Sequence, residues 1–180
     1  HPVIEVEGCI PDYFNPVYAD QMEWWVYNDR GNIHTNTNGQ PMSMEIQGLA
    51  FGYRTTDAIN NMTFYRYKLL NRNNLALNDT YFTLWSDPDL GCYLDDYIGV
   101  DTITGMGYVY NADANDDATC GTGGLGYGAS QVPALGVDYF RGPLDSANNE
   151  IGLSSFAYFQ NDQDPVRGNP GSAIQHYRLM

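Results

Sequence analysis

Ten aspartates (Asp79, Asp87, Asp89, Asp95, Asp96, Asp101, Asp113, Asp116, Asp117 and Asp138) fall between Arg72 and Arg141, an interval that holds no lysine or arginine. That stretch supplies no cation of its own to pair with them, so the chemistry open to these carboxylates is the binding of a hard metal ion. Asp87-Pro88-Asp89-Leu90-Gly91 and Asp95-Asp96-Tyr97-Ile98-Gly99-Val100-Asp101 read as tight turns, where glycine lets backbone carbonyls converge on a shared point. Calcium suits such a setting, with six to eight hard oxygens in flexible geometry, whereas magnesium demands a stricter arrangement. A second cluster, Asn111-Ala112-Asp113-Ala114-Asn115-Asp116-Asp117, carries oxygen ligands at alternate positions, as in the first half of a calcium loop. It is not an EF-hand, because Asp116 stands where the turn glycine belongs and Thr122 where the closing glutamate belongs. The expected calcium ligands are Asp87, Asp89, Asp95, Asp96, Asp101, Asp113, Asn115 and Asp117. The competing reading makes the same residues turn formers and caps on a solvated acidic face.

Catalytic constellations are weak by comparison, and no catalytic residue is assigned. His1, His34 and His176 are the only histidines, and none sits in a nucleophile setting such as Gly-x-Ser-x-Gly. Glu23 or Glu45 could be imagined in a glycoside-hydrolysing carboxylate pair, but any acidic chain offers such pairs. Gly121-Thr122-Gly123-Gly124-Leu125-Gly126 lacks the preceding buried strand and following helix of a dinucleotide loop. Cys9, Cys92 and Cys120 form an odd set without a C-x-x-C pair, which disfavours zinc and leaves the pairing open between one disulfide and free thiols. Trp24 and Trp25 are adjacent, so in a strand only one of them faces the core, and the other is the best single position for a ligand or partner contact.

The elements that must carry these residues are strands, since aromatic and β-branched types recur in short runs separated by Asn, Asp, Gly and Pro. The run Met22-Glu23-Trp24-Trp25-Val26-Tyr27 predicts a strand closed by the turn Asn28-Asp29-Arg30-Gly31, with a polar loop over 32–39. Residues 42–53 alternate in part and predict a second strand. Residues 62–70 and 80–85 predict a hairpin joined through Asn71-Arg72-Asn73-Asn74. An acidic, glycine-rich stretch follows to Gly128, interrupted by a strand at 107–110, with further strands expected at 136–140 and 154–160. Helical periodicity is nearly absent, and no repeat of solenoid or propeller length is visible. The fold expected is mainly β, sandwich-like or jelly-roll-like, a single domain over 1–180 with long acidic and glycine-rich loops.

The formal charge of −14, from 22 acidic against 8 basic side chains, argues against nucleic acid and anionic membranes as partners. No apolar run approaches the roughly 20 residues that span a bilayer. His1-Pro2-Val3-Ile4 lacks the basic-then-apolar pattern of a signal peptide, so the expectation is a mature or internal segment of a longer protein.

The order of features resembles a region of large secreted proteins of Bacteroidota and related bacteria that bear a C-terminal sorting domain for type IX secretion. The likeness rests on Asp20-Gln21-Met22-Glu23-Trp24-Trp25-Val26-Tyr27-Asn28-Asp29, Met44-Glu45-Ile46-Gln47, Asn61-Met62-Thr63-Phe64-Tyr65-Arg66-Tyr67, Gly107-Tyr108-Val109-Tyr110-Asn111 and Gly136-Val137-Asp138-Tyr139-Phe140-Arg141-Gly142-Pro143. Its most specific part is the run from Trp85 to Asp101. The resemblance implies export and display at the cell surface, with no catalytic residue to carry over. In such bacteria Asp101-Thr102-Ile103 and Asp145-Ser146-Ala147 look like short O-glycosylation sites at Thr102 and Ser146. The combined expectation is a non-catalytic extracellular structural or adhesive module, of filament or coat type, with calcium-stiffened loops and other surface subunits as partners. A glycan-binding module is the alternative, ahead of a glycoside hydrolase.

Overall fold

The computed structural model describes residues 19–35, 37–117, 126–129, 132–160 and 166–180. The chain divides into two compact units, residues 1–79 and 80–180. Each carries one three-stranded antiparallel sheet. The protein is therefore mainly β, as its composition predicts, with two three-stranded antiparallel sheets.

In the first unit β1 (Gln21–Asn28), β2 (Met44–Gly52) and β3 (Thr63–Asn71) form a meander in chain order. Asp29 closes the long connection between β1 and β2. Its carboxylate accepts from the Met42 and Met44 amides, the latter at 3.0 Å, while its own carbonyl receives His34 Nε2 at 2.8 Å. Between β2 and β3 a 3-10 turn (Ala58–Asn61) is capped by Asp57, which accepts from the Ile59 amide at 3.0 Å. Register follows the alternation of the sequence: Trp25, Gly48 and Tyr67 lie side by side across the three strands, as do Met22, Phe51 and Phe64. Phe51 and Phe64 stack at 5.3 Å on one face, beside the buried Leu49.

The expected hairpin between 62–70 and 80–85 does not form. β3 pairs instead with β2 along all nine residues, from Gly52 opposite Thr63 to Met44 opposite Asn71, and 80–85 belongs to no strand. β2 takes one edge of β3 with a full-length ladder, and the other edge is left without a strand because 80–85 begins where the second compact unit begins and folds with that unit.

In the second unit β4 (Asp96–Asp101), β5 (Met106–Asn111) and β6 (Ala134–Asp138) again pair in chain order. Ile98, Val100, Val109, Leu135 and Val137 share one face, with Val109 only 3% exposed. Residues 154–160, expected as a strand, form none. Phe156 lies instead against β5, where a Cβ on Gly107 would come within 2.9 Å of its ring. A short helix, α1 (Ala173–Leu179), was not signalled by periodicity. It is fastened by a ring contact between Tyr81 and Tyr177 at 5.3 Å and by the Ser155 hydroxyl donating to the Met180 carbonyl at 2.7 Å.

Candidate functional site

Around the start of β4 and the end of β5 the second unit gathers carboxylates inside the fold. Asp116 has no exposed surface. Its two carboxylate oxygens accept from the Cys92 amide at 2.8 Å and the Tyr127 amide at 2.6 Å. Its backbone exchanges two hydrogen bonds with Gly128. The carboxylate presses so closely on the 91 position that a Cβ there would stand 1.9 Å from Asp116 Oδ2, and Gly91 also adopts a φ of +68°. Glycine is thus required at 91 on two counts. Asp116 is a structural anchor that ties 90–92 to 126–128. Cys92, 1% exposed and disulfide-bonded, fixes the same turn. Its sulfur partner, which the sequence left open between Cys9 and Cys120, lies outside the described residues.

Asp96 and Asn111 are directly opposite each other on β4 and β5, so their side chains share a face. Asp95 adjoins them, its carbonyl accepting from the Ala112 amide at 2.8 Å. Asp96 Oδ2 accepts from the Leu90 amide at 3.0 Å, and Asn111 Nδ2 donates to the Asp113 carbonyl at 3.1 Å. The remaining oxygens are in a different condition. Asp95 Oδ1, Asp96 Oδ1 and Asn111 Oδ1 are buried and receive no hydrogen bond from the described residues. Asn111 as a whole is 7% exposed. Burial pushes the Asp96 carboxyl above its ordinary value of 3.8, and the charges of Asp95, Asp116 and Asp89 add to the rise against the opposing Leu90 N–H.

Among the described residues no three of the His, Cys, Asp and Glu side chains converge as a metal-holding group. The set here is two carboxylates and one amide oxygen, a mixture that a hard cation accepts and a soft one does not.

The structure brings together only some of the ligands expected from sequence. Asp95 and Asp96 are neighbours in sequence, and the charges of Asp95 and Asp89 both act on Asp96. Asp101 does not join them. The run from Asp96 to Asp101 is not a tight turn but the whole of β4, which sets the two carboxylates at opposite ends and on opposite faces of a strand. Asp101 instead holds the next turn, accepting from the Ile103 amide at 2.9 Å, and that bond holds its carboxyl below the usual range. Asp113 Oδ1 accepts from the Asn115 amide at 2.7 Å, a local turn. Asp87, Asn115 and Asp117 are exposed. Thr102 and Ser146 both sit exposed on turns, the second within the loop organised by Asp145. Asp116 and Asn111 are the two central residues missing from the expected ligand set. Asn111 was legible as the first oxygen of the alternating cluster, while Asp116 falls out of phase with that alternation and carries no local signal of burial.

A second feature belongs to the first unit. Trp25 lies flat over Gly48, where a Cβ would approach its ring to 2.4 Å. It meets Tyr67 edge-on at 6.3 Å, and Tyr67 stacks with Tyr65 at 6.5 Å. Tyr27 adjoins on the same face, and Tyr65 is 60% exposed. Burial raises the Tyr67 hydroxyl pKa, with Tyr27 and Tyr65 contributing. Trp24 points to the other face, beside Leu49, and is 53% exposed. The second sheet repeats the pattern: Tyr108 covers Gly99, flanked by Tyr110 and Tyr97.

No family model, curated protein or solved structure matches this chain.

Proposed function

We propose that this chain is a non-catalytic extracellular structural or adhesive module of a cell-surface filament or coat, with acidic loops held by calcium. The observation that carries the reading is the open aromatic face of the first sheet, formed by Tyr27, Trp25, Tyr65 and Tyr67. The three tyrosines are exposed around a half-buried Trp25, and contiguous rings of this kind are characteristic of interaction surfaces, because Tyr and Trp supply large contact area at small entropic cost. A disulfide at Cys92 suits an oxidising extracellular setting. The acidic, lysine-poor composition suits display at the cell surface. The partners on this reading are other surface or filament subunits.

The test is retention of the purified chain on isolated cell-envelope material, compared with the double variant Trp25→Ala/Tyr67→Ala. Loss of at least tenfold in retained protein is expected, and equal retention of the two proteins contradicts the reading. A glycan-binding role is the second reading, favoured by the Trp25 ring lying over Gly48 beside exposed tyrosines, since aromatic rings stack on sugar faces. A glycan array separates the two, since signal that depends on Trp25 assigns the face to carbohydrate.

A further inference from the structure

We infer that Asp95 Oδ1, Asp96 Oδ1 and Asn111 Oδ1 are protein ligands of one calcium ion, bound where β4 begins and β5 ends. The inference rests on the calcium part of the reading above and gives it a location. Three buried oxygens with no donor are the starting observation. A carboxylate oxygen buried without a donor is costly, and the two here belong to half-buried neighbours in sequence, with the charges of Asp89 and Asp116 also acting on Asp96. A cation is the one species that satisfies all three oxygens at once.

The amide is the discriminating member of the set. Asn111 is more than nine-tenths buried, and its Nδ2 is fixed on the Asp113 carbonyl, which leaves its oxygen committed to the face it shares with Asp96. A single proton on one of the acids would satisfy at most two of the three oxygens, by a bond from one carboxyl to the other or to the amide, and would leave the third without a partner. Calcium takes carboxylate, amide and water oxygens together in irregular geometry, while zinc prefers nitrogen and sulfur and magnesium a strict octahedron. Asp96 and Asn111 form the last rung of a ladder, and Asp95 immediately precedes it. The turn they adjoin is pinned by the disulfide and by Asp116. The ion therefore completes a framework already in place, and an affinity in the extracellular range of about 0.1–1 mM is expected.

The test is calcium titration of the full chain by calorimetry, with thermal unfolding in calcium and in chelator. One ion per chain and a rise in melting temperature of roughly 3–8 °C at about 10 mM calcium are expected. Asp95→Asn and Asn111→Leu should each abolish or weaken binding at least tenfold. Asp87→Asn and Asp113→Asn, which change two of the residues indicated by sequence alone, should bind as the parent does. Circular dichroism establishes that each variant is folded, and Asp95→Asn is isosteric should Asn111→Leu fail. Absence of calcium binding by the parent overturns the inference, as does binding lost with Asp87 or Asp113 and kept without Asp95 and Asn111. Either failure leaves the envelope-retention result untouched, since that assay depends on the aromatic face in the other unit.

Discussion

At the scale of single residues, the aspartates of this chain divide by what their oxygens meet. Asp29, Asp57, Asp101 and Asp145 spend theirs on backbone amides of the turns they close. Asp116 does the same from inside the fold, and Asp95 and Asp96 each keep one oxygen uncommitted. Stability against pH should report the difference. Asp96 has a folded pKa above its ordinary 3.8, so its contribution is fully present below that value and is lost as pH rises through the folded one. Glu45, Asp57, Asp101 and Asp145 are lowered, so their contributions are present above the ordinary values and are lost as pH falls through the folded ones. In chelator, urea midpoints of the parent should therefore gain on those of Asp96→Asn as pH falls from about 7 to about 4.5. Parallel pH profiles for the two proteins would contradict the assigned burial of Asp96. The sequence revealed the acidic interval and its freedom from lysine and arginine. It did not reveal which carboxylates are buried, because Asp116 and its exposed neighbour Asp117 are chemically identical and only the distant Gly91 and Tyr127 distinguish them.

At the scale of elements, strand positions at β1, β2, β3, β5 and β6 were legible from alternation and from turn residues. Pairing was not. Sequence proximity suggests a hairpin between 62–70 and 80–85, but β3 pairs with the preceding β2 and 80–85 folds with the second unit without forming a strand. β4 was hidden because Asp96, Gly99 and Asp101 suggest turns, and only the ladder with β5 overrides that local preference. α1 escaped because seven residues are too few for a period, although Ser172 and Gln175 stand at capping-box spacing. Gln175 Oε1 does accept from the Gly171 amide at 2.9 Å and from the Ser172 hydroxyl at 3.1 Å. Glycine in mid-strand carries its own prediction. Gly48→Ala places a methyl where the Trp25 ring lies, so the indole must leave the sheet. A destabilisation of about 1–3 kcal/mol is expected, with a red shift of tryptophan emission. An unchanged spectrum and stability would show that Trp25 does not rest on the 48 position.

At the scale of the whole molecule, the two units divide the work in this account. The first, with its aromatic face and the Arg72–Glu45 ion pair at 3.0 Å, presents the contact surface. The second, from residue 80 onward, holds most of the uncompensated negative charge and the proposed calcium site. Self-repulsion in a chain of formal charge −14 would be reduced by such an ion, which adds to the stability of a framework that folds without it. The measurement that tests this most directly is a crystal structure of the full chain grown with calcium, with anomalous data collected after exchange to a lanthanide. The account predicts one strong peak about 2.3–2.6 Å from Asp95 Oδ1, Asp96 Oδ1 and Asn111 Oδ1. Ordered water alone against those three oxygens, or a peak held by Asp87, Asp113 or Asp117 in their place, would contradict it.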